Sequence, residues 1–407
     1  MRILHTSDWH LGRSFHRVDL LAAQAGFADR LVEVARSEQV DAVLVAGDVY
    51  DRALPAVDTV ALLDDLLARL VAARVAIVLS SGNHDSARRL GFGSRLLTAA
   101  GVHIRTDPAQ VGEPVLLEDR HGPVALYPLP YLEPALVAPA WGLAGGLGGD
   151  GPRPGHQAVL AAAVTRVRAD LAARPVGTRS VLAAHAFVIG GQPTESERDI
   201  SVGGVSAVSA GVFAGLDYVA LGHLHGRQQI AEQVRYSGSP LPYSFSETGQ
   251  DKGCWLVELD ADGLHRVDPV DVPAFRPLAR LSGRLDDLLT EPAHAAAEQA
   301  WCQLTLTDQH RPAAAMERIR SRFPHAVELR FAPEGGAADE HDSYAERIAG
   351  RDDLDLCCGF LEHVRSRPAE QAEVELLRQG LEGVRRLDAE ERHGSRRDGD
   401  GVLEAAG

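Results

Sequence analysis

The sequence predicts a layered α/β fold followed by two smaller modules. Two observations carry that reading. Short apolar runs of strand length alternate with longer helical stretches through roughly the first 80 residues, the pattern of sheets covered by helices. Several of these runs also lead into Asp, Asn or His beside small residues, at the strand ends where open α/β sheets put their ligands.

In chain order, residues 2–7 read as a strand, 20–37 as an amphipathic helix, 42–46 as a strand, 57–73 as a helix and 75–79 as a strand. Residues 115–118 and 124–128 suggest a hairpin, and the glycine-rich stretch 143–152 a flexible insertion. A helix at 157–173 and strands at 180–185, 218–222, 236–239 and 254–259 complete a first domain, 1–272. Beyond it, a strand at 303–307, a helix at 313–323 and a strand at 326–331 form a β-α-β module within 273–331. An acidic linker spans 332–353. Helices are expected at 354–364 and 369–387, turned just before Pro368, because proline suits a helix's first turn. Leu377, Leu381 and Val384 make a helical apolar stripe, weakened by Gly380 and Gly383. The charged, small-residue stretch 388–407 is expected to be disordered.

Composition narrows the class. With 407 residues and 45% hydrophobic content the chain can bury a sizeable core. No apolar run approaches the roughly 18–20 residues of a membrane span, and the first residues enter a strand rather than a signal peptide, so a cytoplasmic location is expected. Cys254, Cys302, Cys357 and Cys358 show no CxxC spacing and read as reduced thiols. A net charge of −16 argues by itself against a nucleic-acid binder, although much acidity is concentrated near 334–355. Arg13, Arg17, Arg52, Arg88, Arg89 and Arg95 follow the metal-liking segments and read equally well as phosphate-binding or as solvated.

Those segments are Asp8-Trp9-His10, Gly47-Asp48, Gly82-Asn83-His84-Asp85, His185 and Gly222-His223-Leu224-His225. Singly, each has a plain structural explanation: a surface turn, a helix cap, a core histidine. Together and in order, they read as a phosphoesterase site for two divalent ions. Such ions roughly 3.5–4 Å apart lower the pKa of a water and clamp the phosphate oxygens. Asp8 and His10, two apart, point the same way if the strand continues extended. Asp48, after an apolar strand and beside the permissive Gly47, is the natural bridging carboxylate.

These segments resemble the calcineurin-like metallophosphoesterases. Ser196-Glu197-Arg198-Asp199-Ile200 and Tyr236-Ser237-Gly238-Ser239-Pro240-Leu241 narrow the resemblance to the SbcD-type nuclease subunits of bacterial SbcC–SbcD complexes, strongly as far as about Val272. The resemblance implies a double β-sandwich flanked by helices, a small capping domain that positions DNA, and a C-terminal helical pair. It assigns Asp8, His10, Asp48 and His225 to one ion and Asp48, Asn83, His185 and His223 to the other. His84 becomes the proton donor or phosphate-stabilising group, with Asp85 orienting it. Asp51, where archaeal and eukaryotic relatives carry histidine, joins Arg13, Arg52 and Arg88 as possible substrate contacts. The resemblance implies Mn2+; Mg2+, iron or zinc also suit mixed oxygen and imidazole donors. It further implies double-strand exonuclease and single-strand or hairpin endonuclease activity in DNA repair, recombination and replication, in the cytoplasm at the nucleoid. The implied partners are DNA, a second copy of the chain, and an SbcC-type ATPase docked on Phe360, Leu377, Leu381 and Val384 to make a heterotetramer. The alternatives are a small-molecule or protein phosphoesterase of the same fold and a non-catalytic scaffold.

Overall fold

Strands with no polar face need apolar cover on both sides, and the computed structural model shows how this chain supplies it. Residues 1–143, 154–197, 207–273, 275–334, 353–365 and 368–394 are described. They fall into two compact units, Met1–Pro333 and Glu334–Gly407.

The first unit holds two six-stranded sheets. One is ordered β14 (Gly263–Asp271), β13 (Gly253–Asp260), β1 (Arg2–Thr6), β4 (Ala42–Ala46), β5 (Ala76–Ser80), β6 (Val102–Arg105). The other is ordered β11 (Gln228–Gln229), β12 (Val234–Tyr236), β10 (Tyr218–Gly222), β9 (Arg179–His185), β8 (Gly122–Pro128), β7 (Val115–Asp119). Between the sheets Ile3, Leu44, Val78, Leu126, Val181, Tyr218 and Val257 form one dry cluster. Alternate residues of the same strands face outward. Leu4, Val43, Val45 and Ile77 pack on Phe27, Leu31, Leu66 and Leu70 of helices α1 (Leu21–Ser37) and α2 (Val57–Ala72). Tyr127, Leu182, Val219 and Leu221 pack on Val159, Leu160, Val164 and Val167 of α6 (His156–Ala172). The result is a double β-sandwich flanked by helices. Each fully buried Val or Leu contributes about 1.5–3 kcal/mol relative to exposure.

Short or irregular elements escaped the sequence pattern. Strand β6 has four residues, and β14 carries Pro269 and several charges, as edge strands often do. Helix α3 (Ala87–Leu90), α4 (Ser94–Leu97), α5 (Pro134–Ala140) and the small hairpin β2 (Ser14–Phe15) and β3 (Val18–Asp19) were also unforeseen. The expected strand 236–239 instead ends at Tyr236, because Gly238 has φ 73° and turns the chain. The β-α-β module has a further parallel strand: β15 (Leu278–Gly283) pairs with β16 (Trp301–Leu306), which pairs with β17 (Ala326–Phe331). Helices α7 (Leu285–Thr290) and α8 (Ala315–Arg322) cover this sheet. Most of the expected insertion at 143–152 lies outside the described residues, as does most of the acidic linker.

In the second unit α9 (Asp353–Arg365) and α10 (Gln371–Gly394) lie against one another. The tail expected to be disordered from residue 388 is helical as far as Gly394. Ala389, Glu390, Glu391 and Arg392 are strong helix formers that extend the helix without an apolar stripe; residues 395–407 are not described. Leu377 and Leu381 are half-buried rather than exposed, and among the described side chains of this unit the exposed large apolar ones are Phe360 and Leu376. The side chain of Val384 is outside the described set. Among the described residues no helix is long and apolar enough to cross a membrane.

Arg179, at the start of β9, clamps both sheets at the end opposite His185. Its guanidinium donates to both Asp119 carboxylate oxygens at 2.6 and 3.1 Å, to Gly122 O at 2.6 Å and to Asp260 O at 3.1 Å. The Arg179 hydrogen bonds hold the Asp119 carboxyl well below the usual carboxylate range. A lowered folded-state pKa contributes stability above the unfolded value, about 3.9, and loses it as pH falls. Arg179→Met should therefore lower stability by about 3 kcal/mol at neutral pH. In urea unfolding the deficit should shrink progressively as pH falls below about 4, where the unfolded chain takes up a proton on Asp119 that the wild-type fold resists.

Candidate metal centre

Strands β1, β4 and β5 run parallel, as do β9 and β10, so their carboxyl ends meet along one edge of the sandwich. Asp8, Asp48 and Asn83 follow β1, β4 and β5; His185 ends β9 and His223 follows β10. The extended backbone that would send Asp8 and His10 the same way does not persist. The strand stops at Thr6, and both residues are left-handed, with φ 53° and 43°. Asp48 at φ 52° and His223 at φ 103° share this rare conformation, which costs about 1–3 kcal/mol per residue and persists where the surroundings over-determine it. Here they do. Asp8 N donates to Gly47 O at 3.1 Å and His10 N to Asp48 O at 3.0 Å, lacing the first two loops together. His223 N donates to both Asp8 carboxylate oxygens at 3.1 Å, tying the two sheets.

Two glycines let these loops approach. Gly47 has φ 85°, and a Cβ there would lie 2.5 Å from His185 Nδ1. A Cβ on Gly222 would lie 1.9 Å from Ala46 O.

The side chains then converge. Asp8, His10 and His225 form one group, His10, Asp48 and His84 a second, and Asp8, Asp48 and His185 a third; within each, the ligand atoms lie within 4.8 Å of one another. Asp48 Oδ2 is central, 3.4 Å from His185 Nε2, 3.6 Å from His10 Nε2 and 3.9 Å from His84 Nε2. His10 Nε2 and His225 Nε2 face each other at 3.1 Å, and Asn83 Oδ1 is 2.8 Å from His185 Nε2. Asp8 thus sits with the His185 group as well as with the His225 group to which sequence reasoning assigned it. His223 belongs to none of these tight groups, its ring lying 5.3 Å from that of His185.

Burial lowers His10 well below its ordinary value and His223 to about 3, so both imidazoles are neutral and offer lone pairs. Burial also pushes the Asp8 carboxyl up to about 6, against the pull of His185 and His225. For the Asp48–His185 pair, burial opposes both charges but mutual attraction wins, holding Asp48 well below its usual range and His185 up to about 9. Buried carboxylates, imidazole nitrogens and an amide oxygen aimed at common points fit divalent ions with mixed oxygen and nitrogen preference.

His84 lies beside the cluster, its Nε2 3.9 Å from Asp48 Oδ2, but Asp85 does not orient it. The Asp85 carboxylate accepts the backbone N–H groups of Val49, Tyr50 and Gly82 at 3.1, 2.9 and 2.9 Å. It therefore ties the loop of Asp48 to that of Asn83. His84 is oriented by its Nδ1, 2.8 Å from the Asp51 carbonyl, which leaves Nε2 toward the cluster. The Asp51 carboxylate lies 3.7 Å from both His10 Nδ1 and Arg13 Nε, and 3.6 Å from Arg52 Nε. Arg13 donates to Ser196 O at 2.8 Å and lies over the Tyr243 ring, whereas Arg52 and Arg88 are exposed.

Sequence reasoning missed the support behind the ligands. Ser7 Oγ donates to Asp8 Oδ2 at 2.5 Å and meets Ser237 Oγ at 2.7 Å. Ser196, Glu247 and Lys252 back His225. Ser196 and Ser237 lie in segments the sequence had singled out; Glu247 and Lys252 carried no signal. Residues 198–200 of that Ser196 segment lie outside the described residues.

With this geometry in view, residues 1–150 match the calcineurin-like phosphoesterase family. The first 150 residues thus carry a calcineurin-like phosphoesterase domain. The match includes Asp8, His10, Asp48, Asn83 and His84, and the fold adds His185, His223 and His225 from beyond it. Residues 274–365 match the SbcD C-terminal family, described as the type 5 capsule protein repressor C-terminal domain. Among solved structures, a dimetal phosphatase from Danio rerio is 16% identical, with 67% of this chain and 98% of that one covered and a TM-score of 0.37. The protein TT1561 of Thermus thermophilus is 14% identical, with 67% and 99% covered and a TM-score of 0.36.

Asp48→Asn removes charge at the point shared by the groups and should lower the content of both ions in elemental analysis. Asn83→Ala should weaken mainly the ion on the His185 side. Full metal content in Asp48→Asn would contradict the shared-carboxylate geometry.

Proposed function

We propose that this phosphoesterase is a metal-dependent DNA nuclease of the SbcD type, acting on double-stranded ends and on single-stranded or hairpin DNA. The observation that carries the reading is one chain with both features: the converged Asp8–His10–Asp48–His185–His225 cluster and, at 274–365, the match to the SbcD C-terminal family. A phosphatase for small substrates needs no such extension.

Asp8, His10, Asp48 and His225 hold one divalent ion, and Asp48, Asn83, His185 and His223 the other, with Asp8 near both; Mn2+ is the proposed metal. Bound there, the ions supply Lewis acidity toward the phosphate and a more acidic water. His84 is the chain's own proton-carrying group. Its Nδ1–H is fixed on the Asp51 carbonyl, so it is the imidazolium form whose Nε2–H would give a proton to the leaving oxygen. Arg13, Arg52 and Arg88 provide the rim for neighbouring phosphates, contacts that position a duplex without reading its sequence. The three-stranded module carries Arg311, Arg318 and Arg330 and is proposed to position DNA. Because the chain as a whole is acidic, a partner adds to its DNA affinity.

Two partners complete the proposal. Leu54, Val57, Val60, Phe92 and Leu96 are large, apolar and exposed, and Arg89 joins their two segments by donating to Ala53 O at 2.8 Å. An exposed apolar patch marks an association surface, here for a second copy of the chain. The helical pair α9–α10, with Phe360 and Leu376 exposed beside half-buried Leu377 and Leu381, docks an SbcC-type ATPase through regularly spaced apolar anchors.

With Mn2+, the purified chain should cleave linear duplex DNA in preference to a phenyl phosphate diester, and chelator should abolish cleavage. His84→Gln should keep its metal and its DNA binding while turnover falls about 10²–10⁴-fold. Loss of an ion in this variant would instead make His84 a ligand.

Removing residues after Gly350 should leave a metal-loaded nuclease that no longer co-purifies with the ATPase and has lost stimulation by ATP. Unchanged affinity for the ATPase would place the docking surface elsewhere.

A further inference from the structure

Behind the ligand cluster lies a buried polar chain that hydrolysis itself does not use. His225 Nδ1 is 2.6 Å from Ser196 Oγ, and that hydroxyl is 2.7 Å from Glu247 Oε1. Glu247 Oε2 is ion-paired with Lys252 Nζ, and Oε1 also accepts the Tyr243 N–H at 3.1 Å. Lys252 donates in addition to the carbonyl oxygen of His225 at 2.8 Å and to Ser239 Oγ at 3.1 Å. Ser196, Glu247 and Lys252 are 9%, 2% and 7% exposed. A buried ion pair gains little stability over apolar residues of similar size. Here both of its charges act on one residue, the acid on the His225 ring through Ser196 and the base on its backbone.

Counting protons gives the direction. A carboxylate paired with an ammonium group only accepts. The single hydroxyl proton of Ser196 therefore goes to Glu247, a stronger acceptor than the Thr194 hydroxyl 2.9 Å away. Ser196 Oγ can then only accept from His225, which places the imidazole proton on Nδ1. The lone pair is left on Nε2, the atom facing His10 Nε2 at 3.1 Å.

We infer that Ser196, Glu247 and Lys252 are positioning residues that hold His225 in the Nδ1–H tautomer and present its Nε2 to a divalent cation at the Asp8–His10–His225 group. The inference rests on the metal-centre reading above and adds the device that sets one ligand. Outer hydrogen bonds of this kind fix the tautomer and orientation of ligating histidines. His185 and His84 instead rest their Nδ1 atoms against backbone carbonyls, those of Ala46 at 3.0 Å and Asp51 at 2.8 Å. The setting of His225, unlike theirs, is thus one that side-chain substitution can change.

In metal-free protein, long-range 1H–15N spectra should show His225 protonated at Nδ1. Glu247→Gln, whose amide can donate to Ser196, should move that proton toward Nε2. Titration with Mn2+ should show one of two ions bound about 10–100-fold more weakly in Ser196→Ala and in Glu247→Gln, and Ser196→Thr, which keeps the hydroxyl, should restore affinity. Wild-type affinity for both ions in Ser196→Ala, or an Nε2–H tautomer in the wild-type protein, overturns the inference. If Glu247→Gln fails to fold, Ser196→Ala, which removes a single oxygen, decides. A wild-type protein that binds no Mn2+ would overturn the metal-centre reading instead, and the tautomer measurement would still decide the positioning role.

Discussion

Everything at the site depends on how closely the two sheets pack at their carboxyl edge. Backbone from one sheet touches backbone from the other where Gly222 meets Ala46, with no room for a side chain between them. Two hydrogen bonds span the same gap: His185 Nδ1 to Ala46 O at 3.0 Å, and His5 Nε2 to Leu221 O at 3.2 Å. The dry layer of Ile3, Leu44, Val78, Val181 and Tyr218 sets this spacing, because interiors pack at the density of organic crystals and yield little. Loosening that layer would separate ligands of the first sheet from ligands of the second.

That rigidity also stabilises strain. Four site residues have left-handed backbone, and each is held by groups from another loop: Gly47 and Asp48 carbonyls for Asp8 and His10, the Asp8 carboxylate for His223, the Asp85 carboxylate for the loop after Asp48. Asp85 is thereby more useful as a brace than it would be as a partner of His84. It accepts three backbone N–H groups while half-buried, and desolvation, aided by the nearby Asp48 charge, pushes its carboxyl up to about 7.

The positions of the converging side chains were legible because metal chemistry restricts residue type and strand ends restrict place. Asp8, Asp48, Asn83 and His185 each follow or end an apolar run that became a strand. The central strands were legible for the same reason, since a run such as Ala42–Ala46 is buried on both faces. Edge strands β6 and β14 and the first strand of the small sheet were not, because an edge tolerates charge, proline and exposure that blur any period. The reach of α10 to Gly394 was hidden because its last turns lack an apolar stripe.

The sequence by itself determined which side chains are available for metal chemistry, that they lie at strand ends, and that sheets and helices alternate. Those are local properties, carried by residue type and by the period of apolar positions. Only the tertiary structure decided that Asp8 stands near both ligand groups, that Asp51 orients His84 through its carbonyl, and that Ser196, Glu247 and Lys252 stand behind His225. Those relations join residues well separated in the chain, Ser196 and His225 by 29 positions and Asp51 and His84 by 33. They follow from strand order, sheet spacing and left-handed turns, none of which leaves a periodic trace in sequence.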